Sequence, residues 1–223
     1  MKWPKPRRTM PENYSGFPRI LKMPFPIISE KNPLVLASAS PRRRRLLAQA
    51  GIPCRVFPSR VPEHGESGEP DEVSLALALE KAARVSARAG ALWVLGADTV
   101  VTIDGRILGK PEDGAEAKKM LSLLGGREHR VITGFCVLDP SGGAVHSETV
   151  TTLVHFKPLA PEEIQGYIET EEPFGKAGSY AIQGIGSFMV ESISGSYTNV
   201  VGLPLCALIK ALVSKGALGK FPQ

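Results

Sequence analysis

The chain of 223 residues has the composition of a soluble globular protein, with 43% apolar and 22% charged residues. No apolar run approaches the roughly 20 residues needed to cross a bilayer, which excludes a membrane span. The three cysteines form no C-x-x-C pair. This argues against a disulfide framework and a structural zinc site, and it predicts a cytoplasmic protein.

The net charge of +5 comes entirely from the first 33 residues, which contain seven basic and two acidic residues. The same segment holds seven of the 19 prolines, and proline lacks the backbone donor that a helix or central strand needs. We therefore predict a disordered extension over 1–33, with a basic arm for nucleic acid or membrane as the alternative. Residues 34–223 contain 20 basic and 20 acidic residues, which disfavours a nucleic-acid partner for them.

From residue 34 onward, short apolar runs alternate with segments of helical period, which predicts an α/β domain over 34–218. Helices are predicted, in chain order, at 41–50, 71–89, 115–124, 161–170 and 204–213. Strands are predicted at 34–37, 91–103, 131–138 and 149–156. Asp104-Gly105 follows the second of these strands and is predicted to form a tight hairpin turn.

The first junction between a strand and a helix combines hydroxyl and guanidinium groups, namely those of Ser38, Ser40, Arg42 and Arg43. Ser40 is predicted as the N-cap, with Pro41 at the first helical position. Free N–H groups and the positive end of the helix would, together with these side chains, suit a phosphate. The alternative is an ordinary capped helix whose arginines are solvated.

Asp98 follows a buried apolar run and so lies where open α/β sheets place their ligands. The alternative is a turn or helix-cap aspartate. Glu63, Lys81 and Lys110 are individually ambiguous as well, because most charged side chains are only solvated surface.

Seven short motifs occur in order along most of the chain. They are LASASPRRRRLL (36–47), EKA (80–82), GADTVV (96–101), LGKP (108–111), GREHRVITG (126–134), EPFGKAGSYAIQG (172–184) and NVVGLPL (199–205). In residues and order, these motifs resemble the Maf family of nucleoside triphosphate pyrophosphatases. The resemblance covers about 34–213 and leaves out the N-terminal extension.

The resemblance implies a two-lobed α/β fold of the anticodon-binding or ITPase-like kind, with a central mixed sheet flanked by helices and a central cleft. It implies hydrolysis of a nucleoside triphosphate between its α and β phosphates, which yields the monophosphate and pyrophosphate. It also implies a divalent cation, Mg²⁺ or Mn²⁺, and a homodimer.

Residue by residue, the resemblance implies that Asp98 is the proton acceptor and that Arg42, Thr99 and Gln183 determine substrate choice. Metal binding is expected from Glu63 and Asp98. Phosphate binding is expected from Ser38, Ser40, Arg43, Lys81 and Lys110.

At Gln183 the chain resembles, in its IQG segment (182–184), the branch of the family that acts on dTTP and UTP, whereas the 7-methyl-GTP branch tends to carry an acidic residue there. A side-chain amide offers both a donor and an acceptor. That pair matches the O4 and N3–H edge of uracil or thymine, whereas a carboxylate would suit guanine. The prediction is therefore hydrolysis of dTTP and UTP, and possible action on modified pyrimidine triphosphates stays open. The alternative enzyme acts on 7-methyl-GTP or on a broad range of non-standard nucleotides. The alternative outside enzymes is a nucleic-acid-binding regulator of division.

Overall fold

The computed structural model describes residues 25–62 and 68–222, and this part of the chain contains seven strands and six helices. The strands are β1 (Leu34–Leu36), β2 (Cys54–Val56), β3 (Val94–Ile103), β4 (Arg106–Leu108), β5 (Glu128–Leu138), β6 (Ala144–Phe156) and β7 (Val190–Ser194). The helices are α1 (Pro41–Gln49), α2 (Pro70–Ala89), α3 (Gly114–Leu124), α4 (Pro161–Glu169), α5 (Tyr197–Val201) and α6 (Leu205–Ser214). None of these helices is long and apolar enough to cross a membrane.

All seven strands form one mixed sheet in the order β2-β1-β3-β5-β6-β7, with β4 paired to β3. β1 is parallel to β2 and β3, and the other neighbours are antiparallel. Along one edge, β3 pairs with β1 at Val94 and Leu95, and then with β4 from Val101 onward. Within the described residues, positions 96–100 of this edge pair with neither strand. The sheet therefore opens here, which leaves room for a cleft.

Helices cover both faces of the sheet. α1 and α6 bury Leu47 and Leu208 against Leu95 and its neighbours on one face. On the opposite face α2 lies directly against the strands, because glycine leaves room for it. A Cβ at Gly96 would lie only 2.1 Å from the carbonyl oxygen of Ala78. The predicted α/β architecture, with a mixed sheet flanked by helices, is confirmed.

A separate apolar cluster forms where α3 and α4 pack beside the far ends of β5 and β6. Leu121, Leu124 and Phe156 are fully buried there, and α4 contributes Ile164 and Tyr167. This cluster supports the segment 175–189, which contains two short 3₁₀-helices, Ala177–Ser179 and Ile185–Met189. The segment runs back from α4 toward the open edge of β3.

The five predicted helices and four predicted strands are present, with shifted ends. The tight turn at Asp104-Gly105 is also present, since both residues have positive φ and join the antiparallel β3 and β4. β2, β4, β7 and α5 were not predicted as elements, although the predicted hairpin turn implies a partner strand for β3. Elements of three to five residues are too short to show a period in the sequence.

The described residues just before the predicted domain boundary, 25–33, pack against the domain. Ile28 is 1% exposed, and its N–H donates to the carbonyl oxygen of Ala217 at 2.8 Å. Trp93 Nε1 donates to the carbonyl oxygen of Pro26, and the ring of Phe25 packs edge-on against Trp93. Proline prevents regular structure here but does not prevent apolar side chains from packing. The disorder predicted for residues 1–24 lies outside the described residues.

Candidate active site

A cavity of about 300 Å³ lies at the open edge of β3. It is bordered by the start of α1, the middle of β3, the segment 175–183 and the end of α5. Eight predicted site residues line it: Ser38, Ser40, Arg42, Arg43, Asp98, Thr99, Lys110 and Gln183. The fold thus brings together residues that lie up to 145 positions apart in the sequence. Glu63 lies outside the described residues.

The start of α1 borders this cavity with its serine hydroxyls and the positive end of the helix. The Ser40 hydroxyl accepts from the N–H of Arg43 at 3.4 Å, as expected for the predicted N-cap. The Ser38 hydroxyl accepts from the N–H of Ser40 at 3.3 Å, which shapes the turn before the helix. α1 has no acidic residue in its first turn, so no side-chain negative charge in that turn neutralises the positive end of the helix dipole.

Arg43 is 7% exposed and connects three parts of the chain. Its Nε donates to the carbonyl oxygen of Gly202 at 2.7 Å, and Nη1 donates to the Ser38 hydroxyl at 2.9 Å. Nη2 donates to the Thr99 hydroxyl at 3.0 Å. The guanidinium group therefore holds α1, β3 and the loop before α6 in fixed positions around the cavity.

Asp98 is 6% exposed and lies on β3 where this strand pairs with β5 but with neither β1 nor β4. The ammonium group of Lys81, which is 3% exposed on α2, lies 2.5 Å from Asp98 Oδ1. The structure places the ammonium group of Lys81 on this carboxylate, and the binding of phosphate by Lys81 stays a prediction. Two buried charges require such compensation, and the contact fixes the direction of the carboxylate.

Asp98 also lies where two cavities meet. A second cavity, of about 290 Å³, is lined by Asp98, Thr99 and Lys110 together with apolar residues of α2 and β4. Successive residues of a strand point to opposite faces of a sheet. Asp98 and Thr99 can nevertheless border the same space because the sheet is open at this point.

The first cavity is also lined by Arg42 and Gln183, two of the residues predicted to determine substrate choice. Gln183 and Arg42 are both half-buried there. Burial lowers the pKa of Arg42 from its ordinary value, and the nearby Tyr167 partly opposes this shift. Apolar side chains complete the wall, namely Val101, Val131, Ala177, Ile182, Val200 and Val201.

Lys176 lines the cavity as well, and the sequence analysis did not identify it. Its ammonium group donates to the carbonyl oxygens of Glu172 and Phe174. Burial is the main reason that its pKa is lowered, and the positive charge of Arg42 lowers it further. A signal was present in the sequence, since Lys176 is the only basic residue in the glycine-rich stretch 175–202.

Comparison with known proteins identifies the family. The family model described as Maf-like protein matches residues 33–215. The chain belongs to the Maf family. Among its Maf relatives is the dTTP/UTP pyrophosphatase of Geobacter metallireducens, 52% identical over 190 residues, which cover 85% of this chain and 99% of the relative. The dTTP/UTP pyrophosphatase of Syntrophotalea carbinolica is also 52% identical, over 84% of this chain and 87% of its own.

Similarity to solved structures is weaker. A HAM1 protein from Coxiella burnetii matches 56% of this chain and 73% of its own at 18% identity, with a TM-score of 0.37. A score this low supports no argument about the fold, so the ITPase-like detail of the fold prediction stays a prediction.

Proposed function

We propose that this Maf protein hydrolyses dTTP and UTP between the α and β phosphates, releasing the nucleoside monophosphate and pyrophosphate. One observation carries the proposal: a buried carboxylate, the basic start of a helix and a side-chain amide line one cavity. Two relatives that are about half identical over nearly their whole length have this activity in their names.

The triphosphate brings about four negative charges at neutral pH, which cannot be buried without cationic or N–H donors. The start of α1 offers hydroxyls and the positive end of the helix, and Arg42, Lys110 and Lys176 border the same cavity. Because Arg43 already bonds three neighbours within the protein, it shapes the phosphate site more than it moves toward the substrate.

Asp98 accepts a proton from the attacking water. Uncharged water is a weak nucleophile, and a positioned carboxylate raises its reactivity by removing the proton as the bond to phosphorus forms. Lys81 holds the carboxylate at Oδ1 and so limits the directions from which it meets the water. The α phosphorus then lies near Asp98, with the nucleoside toward Gln183 and the departing pyrophosphate toward Lys110 and the start of α1, which line the same cavity.

A divalent cation, Mg²⁺ or Mn²⁺, supports the reaction. The described residues contain no cluster of three or more His, Cys, Asp or Glu that could bind a metal by themselves. This fits Mg²⁺, which is commonly held by one or two carboxylates together with substrate phosphates. Asp98 and Glu63 would hold the ion, which when bound lowers the pKa of water and neutralises phosphate charge.

The side-chain amide of Gln183 recognises the base by donating to O4 and accepting from N3–H of uracil or thymine. Arg42 lines the same cavity and contributes to substrate choice. Thr99 acts through the shape of the site, because its hydroxyl accepts from Arg43 and lies 2.9 Å from the Thr133 hydroxyl. The enzyme works as a homodimer in the cytoplasm.

A panel of triphosphates tests the reaction, the bond cleaved and the base preference together. Pyrophosphate release is measured from dTTP, UTP, CTP, GTP and 7-methyl-GTP with Mg²⁺ or Mn²⁺, and again with EDTA. We expect release from dTTP and UTP that EDTA abolishes. No release from either pyrimidine would refute the proposal, and a preference for 7-methyl-GTP would select the alternative enzyme.

Two variants test the residue roles in the same assay. Asp98→Asn keeps the shape of the side chain but is a far weaker base, so turnover should fall at least a hundredfold while the circular dichroism spectrum is unchanged. Gln183→Glu replaces a donor with a second acceptor and should lower the preference for dTTP over GTP. Near-normal turnover in the first variant, or an unchanged substrate profile in the second, would contradict the assigned role.

A further inference from the structure

The segment 181–186, which contains Gln183, is held from behind by two side chains of another part of the chain. Ala181 and Gln183 line the cavity, whereas Tyr167 and Glu172 do not. Tyr167 lies on α4, and Glu172 follows that helix by a few residues. We call this pair of side chains the loop clamp.

The loop clamp holds the segment on both sides of Gln183. The N–H of Ala181, two residues before it, donates to Tyr167 Oη at 3.3 Å. On the other side, the N–H of Ile185 donates to Glu172 Oε2 at 3.1 Å. The two anchors are themselves joined, since Tyr167 Oη donates to Glu172 Oε1 at 3.0 Å. Gln183 therefore lies at the middle of a short loop with both flanks fixed.

The glycines of the segment show how closely it fits against the loop clamp. Gly184 has φ +88°, and a Cβ there would lie 2.5 Å from Glu172 Oε2. Gly186 donates its N–H to Glu172 Oε1 at 2.9 Å, and a Cβ there would lie 2.6 Å from Tyr167 Oη. Positive φ strains a residue that carries a side chain, and the close approach leaves no space for one.

Glu172 remains a carboxylate in this setting. Burial alone would raise its pKa, but the hydrogen bonds from Gly186, Ile185 and Tyr167 outweigh burial and lower it. Burial raises the pKa of Tyr167, so its hydroxyl keeps the proton that it donates. Tyr167 is also fixed by its place in the apolar cluster of α3 and α4.

We propose that Tyr167 and Glu172 are positioning residues for base recognition: they hold the 181–186 loop so that the Gln183 amide meets the pyrimidine edge. This rests on the proposed function, because it deepens the role of Gln183 in that reaction. Neither residue contacts the substrate. A loop held in its binding conformation loses little entropy when the base arrives, and that favours binding more than the chemical step.

Tyr167→Phe and Glu172→Gln test the loop clamp, with Glu163→Gln as the matched control. The Glu163 carboxylate also accepts from a backbone N–H, that of Ala160, but it caps the start of α4 and does not touch the loop. We expect KM for dTTP to rise about tenfold in both test variants, the equivalent of one buried hydrogen bond. We expect kcat to stay within about threefold, because Asp98 is untouched.

Two further readouts separate positioning from stability. The preference for dTTP over GTP should fall in the test variants, whereas inhibition by pyrophosphate, which has no base, should be unchanged. The control should keep both values even where its melting temperature falls. A lower melting temperature with an unchanged KM and preference would overturn the proposal, as would an equal loss of affinity for pyrophosphate.

Failure of the loop clamp and failure of the proposed function give different experimental results. If the wild-type protein prefers a triphosphate other than dTTP or UTP, the proposed function is wrong. The changes in KM, kcat and base preference between variant and wild type, measured with the preferred substrate, still test the loop clamp. If Glu172→Gln does not fold, Tyr167→Phe removes a single oxygen and decides the question alone.

Discussion

Gly96→Ala perturbs the contact between α2 and β3, on which the geometry of the candidate active site depends. The added Cβ would lie 2.1 Å from the carbonyl oxygen of Ala78 and 2.9 Å from the Cβ of Ala82. Ordinary contact begins at 3.4 Å, so α2 would have to move away from the strand by about 1.3 Å. The carbonyl oxygen of Ala78 belongs to the backbone in the middle of α2, so it cannot rotate away as a side chain could.

The cost has two parts. Overpacking of this kind typically costs about 1–3 kcal/mol. Lys81 lies on the same turn of α2, so moving the helix also lengthens its 2.5 Å contact with Asp98. We therefore expect a loss of about 3 kcal/mol in the free energy of unfolding, which for a chain of this size lowers the melting temperature by roughly 6–12 °C. Turnover should fall as well, because the carboxylate loses its anchor.

Urea denaturation followed by circular dichroism, together with pyrophosphate release, measures both effects. Gly166→Ala is the matched control, since a Cβ at this position in α4 meets nothing within 4 Å. Alanine favours helix over glycine by about 0.8–1 kcal/mol, so the control should be slightly more stable than wild type and normally active. A Gly96→Ala protein with wild-type stability and turnover would refute the reasoning.

Two further predictions concern buried polar side chains. Arg43→Lys keeps the charge but can replace only one of the three hydrogen bonds that Arg43 donates. The free energy of unfolding should therefore fall by about 3 kcal/mol. An unchanged urea midpoint would contradict the role of Arg43 in connecting α1, β3 and the loop before α6. Burial lowers the pKa of His129 from 6.5 to about 4, so between these values the unfolded chain binds more protons. The free energy of unfolding should therefore fall by about 3 kcal/mol as the pH drops through that range. His129→Leu should lack this fall. Parallel curves of unfolding free energy against pH for the variant and the wild type would contradict the prediction.

Much of the local structure could be predicted from the sequence because its causes are local. The Ser40 N-cap and Pro41 determine where α1 begins, and turn chemistry determines the Asp104-Gly105 hairpin. The approximate limits of the longer helices follow from apolar periodicity. The residue types of the motifs also predicted that the site contains a carboxylate and several cations, since triphosphate chemistry requires both.

The interactions of those residues were decided only by the tertiary structure. Arg43 and Gly202 are 159 residues apart in sequence, and no periodicity predicts that a guanidinium group would bridge the two. The family resemblance led us to expect phosphate binding by Lys81, and only helix packing showed that its ammonium group lies on Asp98. A charge in a sequence shows what a side chain can bind, and only packing determines which partner lies within reach.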